Sequence, residues 1–356
     1  MLKIKEQDLR KVITEILKKA GTDEWEADLV AKHLVRSNLY GHDSHGVGMV
    51  PAYVRNIRRG LLKPNTPPKL IKDDGAILVF DGQRGFGQRV AHEAMDKAIS
   101  RCKERGLVVM GLRNAHHIGR IGTYGEQSIE AGIVSLHFVN VIDHRPIVVP
   151  YGGRDARYAT NPVCIAMPGT AKTAPILLDM ATSKIPMGKA RVAMVAGKSV
   201  ADDMVLDSEG NPTNDPGVMF REPIGALIPF GLHKGYGIAF FCELLAGVLT
   251  GGGTIQPENE RQGGIINNML VFLVDPKRLV DHQWMCNEID AIVAFVKESP
   301  PRDPDNPVMV AGDPERKSLA ERRENGIPIN PATWGLMLEA GETVGIERST
   351  LASYIS

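Results

Sequence analysis

Two adjacent histidines, His116 and His117, stand in the stretch 111–122 (GLRNAHHIGRIG), between Asn114 and a glycine-bounded turn. Imidazole is the side chain whose ordinary pKa lies nearest neutrality, so it can both give and take a proton. The apolar run 107–110 (LVVM) just ahead of it reads as a buried strand. The carboxyl end of such a strand is where α/β proteins commonly place reactive side chains. Taken alone, the pair is explained more simply by one histidine closing the strand end while its neighbour faces water. Three other groups bear on that choice.

His42 and His45 are three apart in the Gly-bounded loop 41–49, with Ser44 between them. That spacing makes a metal site conceivable, but no cysteine pair or carboxylate-rich helix completes a ligand set. Ser44 is equally suited to capping the helical pattern that follows at Val50, Tyr53, Val54 and Ile57. Farther on, His233, Lys234, Gly235 and Tyr236 precede the segment 238–249, which is apolar on all sides and predicts a buried helix. A lysine beside a glycine at a helix amino end suits a phosphate or pyrophosphate, because unpaired N–H groups and the positive dipole end meet there. The plainer alternative is a lysine reaching from the helix start to water. Finally, a strand at 174–178 runs into Asp179, Met180, Ala181, Thr182 and Ser183. Such a turn could contact a ribose or nicotinamide, or cap the next helix.

The elements that must hold these groups follow from periodicity. Leu9, Val12, Ile13, Ile16 and Leu17 mark a helix over 6–19, and Thr22 with Asp23 and Glu24 starts a second that buries Ala27, Val30, Leu34 and Val35. Residues 76–81 read as a strand, 88–105 as an amphipathic helix and 107–110 as a strand, giving a strand–helix–strand unit with the histidines at its carboxyl edge. Helix 123–131, strand 133–139, a short strand within 159–168 and the strand 174–178 come next. DSEGNPTNDPG at 207–217 is turn chemistry and predicts a surface loop. The last apolar strand is 267–275, followed by helices over 283–298 and 314–325 and a final one starting at Asn330-Pro331. No G-x-G-x-x-G follows a strand and opens a helix, so no dinucleotide fingerprint is present.

Composition narrows the class. A chain of 356 residues has Lys+Arg and Asp+Glu both at 42, a net charge of zero that offers no field for nucleic acid. The amino terminus MLKIKEQDLR lacks the apolar core of a signal peptide, and 237–250 is too short and is broken by Glu243, so no membrane span is expected. Cys102, Cys164, Cys242 and Cys286 are scattered without zinc or disulfide spacing, as in a reduced, cytoplasmic protein.

Together these pieces resemble the malate/L-lactate dehydrogenase family, which includes sulfolactate and ureidoglycolate dehydrogenase-like oxidoreductases. The likeness rests on Asp43-Ser44-His45-Gly46, Asn114-x-x-His117-x-Gly119, Thr160-Asn161-Pro162, Asp179-Met180-Ala181-Thr182-Ser183 and His233-Lys234-Gly235-Tyr236-Gly237. It extends to about Pro331, and the HDSHGVGM form is most similar to the bacterial hydroxycarboxylate dehydrogenase branch. Each motif is weak alone; five in this order are specific.

The resemblance implies an α/β fold of sulfolactate dehydrogenase type, a non-Rossmann mixed sheet with flanking helices. It implies a helical substrate and dimerisation domain of residues 1–115 with 290–356, and a nicotinamide-binding domain of 116–289. It implies reduction of a 2-oxo acid to a 2-hydroxy acid with NAD, or with NADP, by a cytoplasmic homodimer. Carried over residue by residue, His117 is the acid/base group and His45 and Ser44 orient the substrate. Tyr53 lines the substrate pocket, and Asn161, Asp179, Met180, Ala181, His233, Lys234 and Gly235 contact the cofactor. Many members place a carboxylate-binding arginine where this chain has Met49; Arg120 or Arg145 is the expected substitute. Val141 and Ala311-Gly312-Asp313 also depart from the family pattern. Two alternatives stand beside this reading: a cyclic-imine reductase of the same family, and a metal-dependent lyase or hydrolase using His42, His45 and His117.

Overall fold

The computed structural model describes residues 1–195 and 197–355 of the chain. It opens with β1 (Leu2–Ile4), α1 (Glu6–Lys19) and α2 (Glu24–Leu39), then crosses two 3-10 turns, Asp43–His45 and Val47–Met49, into α3 (Val50–Arg58). Next come β2 (Lys69–Asp74), β3 (Ile77–Asp81), α4 (Gly87–Arg105), β4 (Leu107–His116), α5 (Gly122–Glu130) and β5 (Val134–Ile142). They lead to β6 (Val163–Met167), β7 (Ile176–Met180) and α6 (Met187–Val195), and then to three two-residue strands, β8 (Val205–Leu206), β9 (Pro212–Thr213) and β10 (Ala226–Leu227). Helix α7 (His233–Cys242) continues into a π-helical turn, Glu243–Val248, ahead of β11 (Ile266–Val274) and α8 (His282–Lys297). The chain finishes with α9 (Asp313–Asn325), β12 (Ile327–Ile329), α10 (Pro331–Thr343) and α11 (Arg348–Ala352).

Seven strands form one mixed sheet in the order β2-β3-β4-β11-β5-β6-β7. Strands β3 and β4 are parallel, joined by α4 as the strand–helix–strand pattern predicts, and the other neighbours run antiparallel. β11 enters between β4 and β5, antiparallel to both, and its unbroken apolar run from Met269 to Leu273 suits a strand covered on both faces. This is an α/β fold with a mixed, non-Rossmann sheet, as expected. A second core lies in the helices. Leu9, Val12, Ile13, Ile16 and Leu17 of α1 interlock with Val30, Leu34 and Val35 of α2 and with Tyr53 of α3. The short pair β1 and β12 closes this unit by joining Leu2 to Ile329 and Ile4 to Ile327.

Several elements differ from the sequence reading. The strand read as 107–110 runs on to His116, because Gly111, Leu112 and Ala115 stay buried in register with β3 and β11 although polar Arg113 and Asn114 interrupt the pattern. Strand β2 gives no signal in the sequence because KLIKDD is charged and mostly exposed, the composition of a guarded sheet edge. Asp23, not Thr22, caps α2 by accepting from Glu26 N at 2.7 Å. The stretch 207–217 contains β9 as well as its turn, and α11 follows the helix that the sequence pattern makes final.

The segment 238–249 is not buried all round. Ala239, Cys242 and Ala246 face the core, whereas Phe241 and Leu249 are 58% and 64% exposed. Helix α8 is barer still: only Ile289 is buried, and Phe295 is 72% exposed. The boundary expected between residues 115 and 116 falls inside β4. The buried apolar residues gather into the helical core, the sheet core and two smaller clusters, one around α6, β8 and β10 and one of Val149, Leu206 and Ala226.

Candidate active site

The backbone from His116 to Arg120 is pinned from several directions as it leaves the sheet. His116 N donates to Gly85 O, and Ile118 N donates to Asn267 Oδ1 of β11 at 2.9 Å. Arg120 N donates to His33 Nε2 of α2 at 3.0 Å, and Tyr124 Oη to Ile118 O at 2.5 Å. Two glycines make the approach possible. A Cβ on Gly87, which begins α4, would lie 2.1 Å from His116 O, and one on Gly119 would lie 2.4 Å from His33 Nε2. Gly119 also needs its left-handed φ of 73°. Asn114 takes φ 53°, a conformation asparagine tolerates, and its side chain donates to Asp81.

This scaffold separates the two histidines. His116 is buried in the sheet with Nε2 on Asn56 Nδ2 at 3.0 Å, and burial pushes its pKa down to about 3. It is a structural residue. His117 is half-buried, with Nδ1 2.7 Å from Tyr53 Oη, while Nε2 has no partner among the described residues. Its ring stacks on His45, centroids 5.6 Å apart and planes 15° from parallel. Loss of hydration, reinforced by His45, His116, His33 and His144, holds His117 well below the ordinary histidine range. His45 is drawn down to about 4 by burial, with the Asp179 carboxylate opposing. Ser44 Oγ lies 3.0 Å from His45 Nδ1, so it orients that ring instead of capping α3, whose cap position is Met49. The loop is seated by Asn38, which donates to Asp43 and accepts from Val47 N. A Cβ on Gly188 would come within 2.9 Å of Ser44, which places the start of α6 against this loop.

Other expected residues stand elsewhere. Tyr53 is wholly buried, so its hydroxyl supports His117 from behind and does not line an open pocket. Arg120 is 2% exposed, with its guanidinium engaged by Glu126 at 2.8 Å and Asp179 at 3.1 Å and lying over the Tyr40 ring. The guanidinium expected to meet a substrate carboxylate is thus held by two carboxylates of the chain itself. Arg145 is exposed and donates one amine to Met219 O. Met49 is half-buried against the helical core. His42 bonds Glu315 of α9 at 3.2 Å, and no three His, Cys, Asp or Glu side chains among the described residues converge as a metal site needs.

The segments 159–162, 179–185 and 228–235 are laced together. Thr182 N donates to Thr160 O, Phe230 N to Thr182 O and Lys184 N to Ile228 O. Asn161 is fully buried and donates from Nδ2 to Ala239 O and Glu243 Oε1, which ties this region to α7, while its Oδ1 is buried without a partner among the described residues. Glu243, buried in the π-helical turn, also accepts from Asn140 and Ile255 N; nothing in the spacing of the sequence signals this hub. Met180 and Ala181 remain half-exposed at the end of β7. His233 and Lys234 are exposed in the first turn of α7, and Lys234 has no acidic partner among the described residues. Gly235 is buried because its backbone presses on Phe230 O, where a Cβ would lie at 2.1 Å. Sequence reasoning also misses Gln88, which donates to Tyr53 Oη at 2.8 Å. Its one mark in the sequence is the glycine before it.

The chain is similar to several known proteins. A family model described as malate/L-lactate dehydrogenase matches residues 4–337. Hydroxycarboxylate dehydrogenase B of Escherichia coli (strain K12) is 41% identical over 351 residues, 98% of this chain and 96% of that protein. A solved structure of a malate/lactate dehydrogenase candidate from E. coli superposes with a TM-score of 0.95 at 40% identity, over 99% of this chain and 98% of that one. Sulfolactate dehydrogenase from Methanocaldococcus jannaschii gives 0.84 at 28% identity, over 98% and 99%.

Proposed function

The chain belongs to the malate/L-lactate dehydrogenase family of hydroxy acid oxidoreductases, and we propose that it interconverts a 2-oxo acid and its 2-hydroxy acid with a nicotinamide cofactor, His117 handling the proton. The observation that carries the reading is the His117 ring, backed at Nδ1 by Tyr53, stacked on His45, and without a partner at Nε2 among the described residues. In the reducing direction, protonated His117 gives the Nε2 proton to the carbonyl oxygen; in the oxidising direction, neutral His117 takes it from the hydroxyl. Without substrate His117 is neutral at pH 7. The negative carboxylate of an arriving acid favours the imidazolium, which readies the group for reduction. His45, with Ser44 on its Nδ1, orients the substrate oxygen from the opposite ring face.

NAD, or NADP in its place, fits the donors present. Lys234 offers an unpaired positive charge at a helix start, where backbone N–H groups are free of helical partners. His233 and the half-exposed Met180 and Ala181 border the same laced region. Gly235 serves it by letting the α7 start pack tightly. Asp179, at the edge of that region, turns its carboxylate to Arg120 and Gly122 N. When bound, the nicotinamide supplies or removes the hydride. Arg145 is the cation we assign to the substrate carboxylate, and Met49 lends that pocket an apolar wall.

The reading includes a homodimer covering α8 and the outer side of α7, because Phe241, Trp284 and Phe295 are left bare. It also includes a cytoplasmic location, since all four cysteines are free. No helix among the described residues is long and apolar enough to cross a membrane. The test is nicotinamide absorbance over a panel of 2-oxo acids with both cofactors, run beside His117→Ala. That variant is expected to lose about a hundredfold or more in turnover while still binding cofactor. Parent-like turnover in it overturns the assignment.

A further inference from the structure

Behind His117 lies a hydrogen-bonded chain closed off from water. Gln88, in the first turn of α4, is 1% exposed, and its Nε2 is 2.8 Å from Tyr53 Oη. Tyr53 Oη in turn is 2.7 Å from His117 Nδ1. Gln88 Oε1 is buried without a partner among the described residues. With no solvent to intervene, the protons on these three groups constrain one another.

Two arrangements satisfy the Tyr53 hydroxyl. In the first, Gln88 donates its amide proton to Oη, and the hydroxyl proton goes to its other neighbour, His117 Nδ1. The imidazole is then neutral with its proton on Nε2, a form that can neither accept a proton there nor release one without becoming an imidazolate. In the second, the Gln88 carboxamide makes a half-turn and its Oε1 accepts the hydroxyl proton. Oη is then free to accept from Nδ1–H, and Nε2 is either a bare base or, once protonated, part of an imidazolium. The half-turn exchanges groups of the same size, and the unpartnered Oε1 forgoes no hydrogen bond in making it.

We propose that Gln88 is a positioning residue for proton transfer: by turning its amide or its carbonyl toward Tyr53, it selects whether His117 Nδ1 is bare or protonated, and so whether Nε2 can take and give a proton. This rests on the reading of His117 as the acid/base group. The other titratable groups around that ring are His45 from the first 3-10 turn, His116 from β4, His33 from α2 and His144 from the loop after β5. None of them reaches Nδ1, which Tyr53 occupies.

The experiment compares Gln88→Leu and Gln88→Glu in the full-length protein. Leucine cannot accept the hydroxyl proton, so Tyr53 keeps donating to Nδ1 and the imidazolium is disfavoured. The pKa governing 2-oxo acid reduction moves down by about one pH unit, and kcat at neutral pH falls about tenfold. The ionised carboxylate introduced by Gln88→Glu accepts the hydroxyl proton, and the same pKa moves up. Nitrogen-15 shifts of the His117 ring report the change directly: Nε2–H in the leucine variant, Nδ1–H or imidazolium in the glutamate variant. Cofactor affinity stays within about twofold in both.

A purely structural role for Gln88 does not move the two profiles in opposite directions. Profiles that overlay the parent, or that move together, overturn the proposal while an inactive His117→Ala keeps the functional reading. An active His117→Ala defeats that reading instead. If Gln88→Glu does not fold, the Tyr53→Phe background decides. With the hydroxyl gone, adding Gln88→Leu changes the profile no further, and an additional shift there refutes the relay.

Discussion

Arg120 Nε lies 3.1 Å from the Asp179 carboxylate, and both side chains are almost closed to solvent. Glu126 holds the other side of the guanidinium at 2.8 Å and is itself paired with Arg36 at 3.0 Å. One cation therefore joins the turn after β4, helix α5 and the end of β7, beside the His45 ring. Removing it leaves the Asp179 carboxylate without a cation among the described residues, while Glu126 keeps Arg36. Arg120→Leu is expected to lower unfolding free energy by about 3–5 kcal/mol, because an uncompensated buried charge is far costlier than a lost surface pair. Denaturant titration checks this. A variant with parental stability and only a raised KM for the acid would return Arg120 to the substrate pocket.

Met49 ends the second 3-10 turn, separated from His45 by the extended Gly46, and is half-buried against the helical core. Arginine there would bring a planar cation toward the substrate side of the stacked histidines. Met49→Arg should raise kcat/KM for dicarboxylic 2-oxo acids relative to monocarboxylic ones by about tenfold, roughly one charge-assisted hydrogen bond. An unchanged ratio in a folded variant would show that Met49 does not border the substrate.

Lys234 is exposed in the first turn of α7 and lacks an acidic partner among the described residues. Replacing it with methionine keeps the stem and removes the charge. Cofactor affinity, followed by nicotinamide fluorescence, is expected to fall about tenfold, with kcat at saturating cofactor little altered. Unaltered affinity would leave the lysine as a solvated helix start.

Four histidines make stability depend on pH. Burial holds His33, His116 and His137 at about 3 and His45 at about 4, against an ordinary value of 6.5. Their folded values lie below the unfolded one, so the unfolded chain takes up protons first as acid is added. The stability they confer is complete above pH 6.5 and drains away as pH falls from there toward 4 and then 3. Tm should therefore drop clearly between pH 7 and pH 5. His137 lies outside the site and bonds Ser135 Oγ at 2.8 Å, so His137→Asn should flatten that slope without abolishing turnover. An equally steep slope would assign the acid sensitivity to other groups.

Legibility in the sequence follows the length scale of the interactions. Helices α1 and α2 are plain because their apolar positions repeat at helical spacing over three turns or more. His117 and the Ser44-His45 loop stand out because reactive side chains sit beside glycines that allow close packing. What stays hidden depends on partners far along the chain. Nothing near Arg120 announces Asp179, nothing near Asn161 announces Glu243, and Gln88 meets Tyr53 only because Gly87 lets α4 press on the backbone of the histidine turn. Strands β1 and β12, three residues each, are too short to carry a period, and they form because they find one another.

The place of β11 bears on how the chain is made. Its residues lie between β4 and β5 in space, yet the ribosome has already released both of those strands when Ile266 emerges to pair with His116 and Ile142. Until then β4 and β5 present open edges, and the Ile118 amide waits for Asn267. The helical unit waits longer, since Leu2 pairs with Ile329. A nascent chain of this topology carries its histidine turn without the β11 brace until Asn267 is made, a period of exposure to aggregation that chaperones serve. The histidine turn is made early, and its bond to β11 comes late.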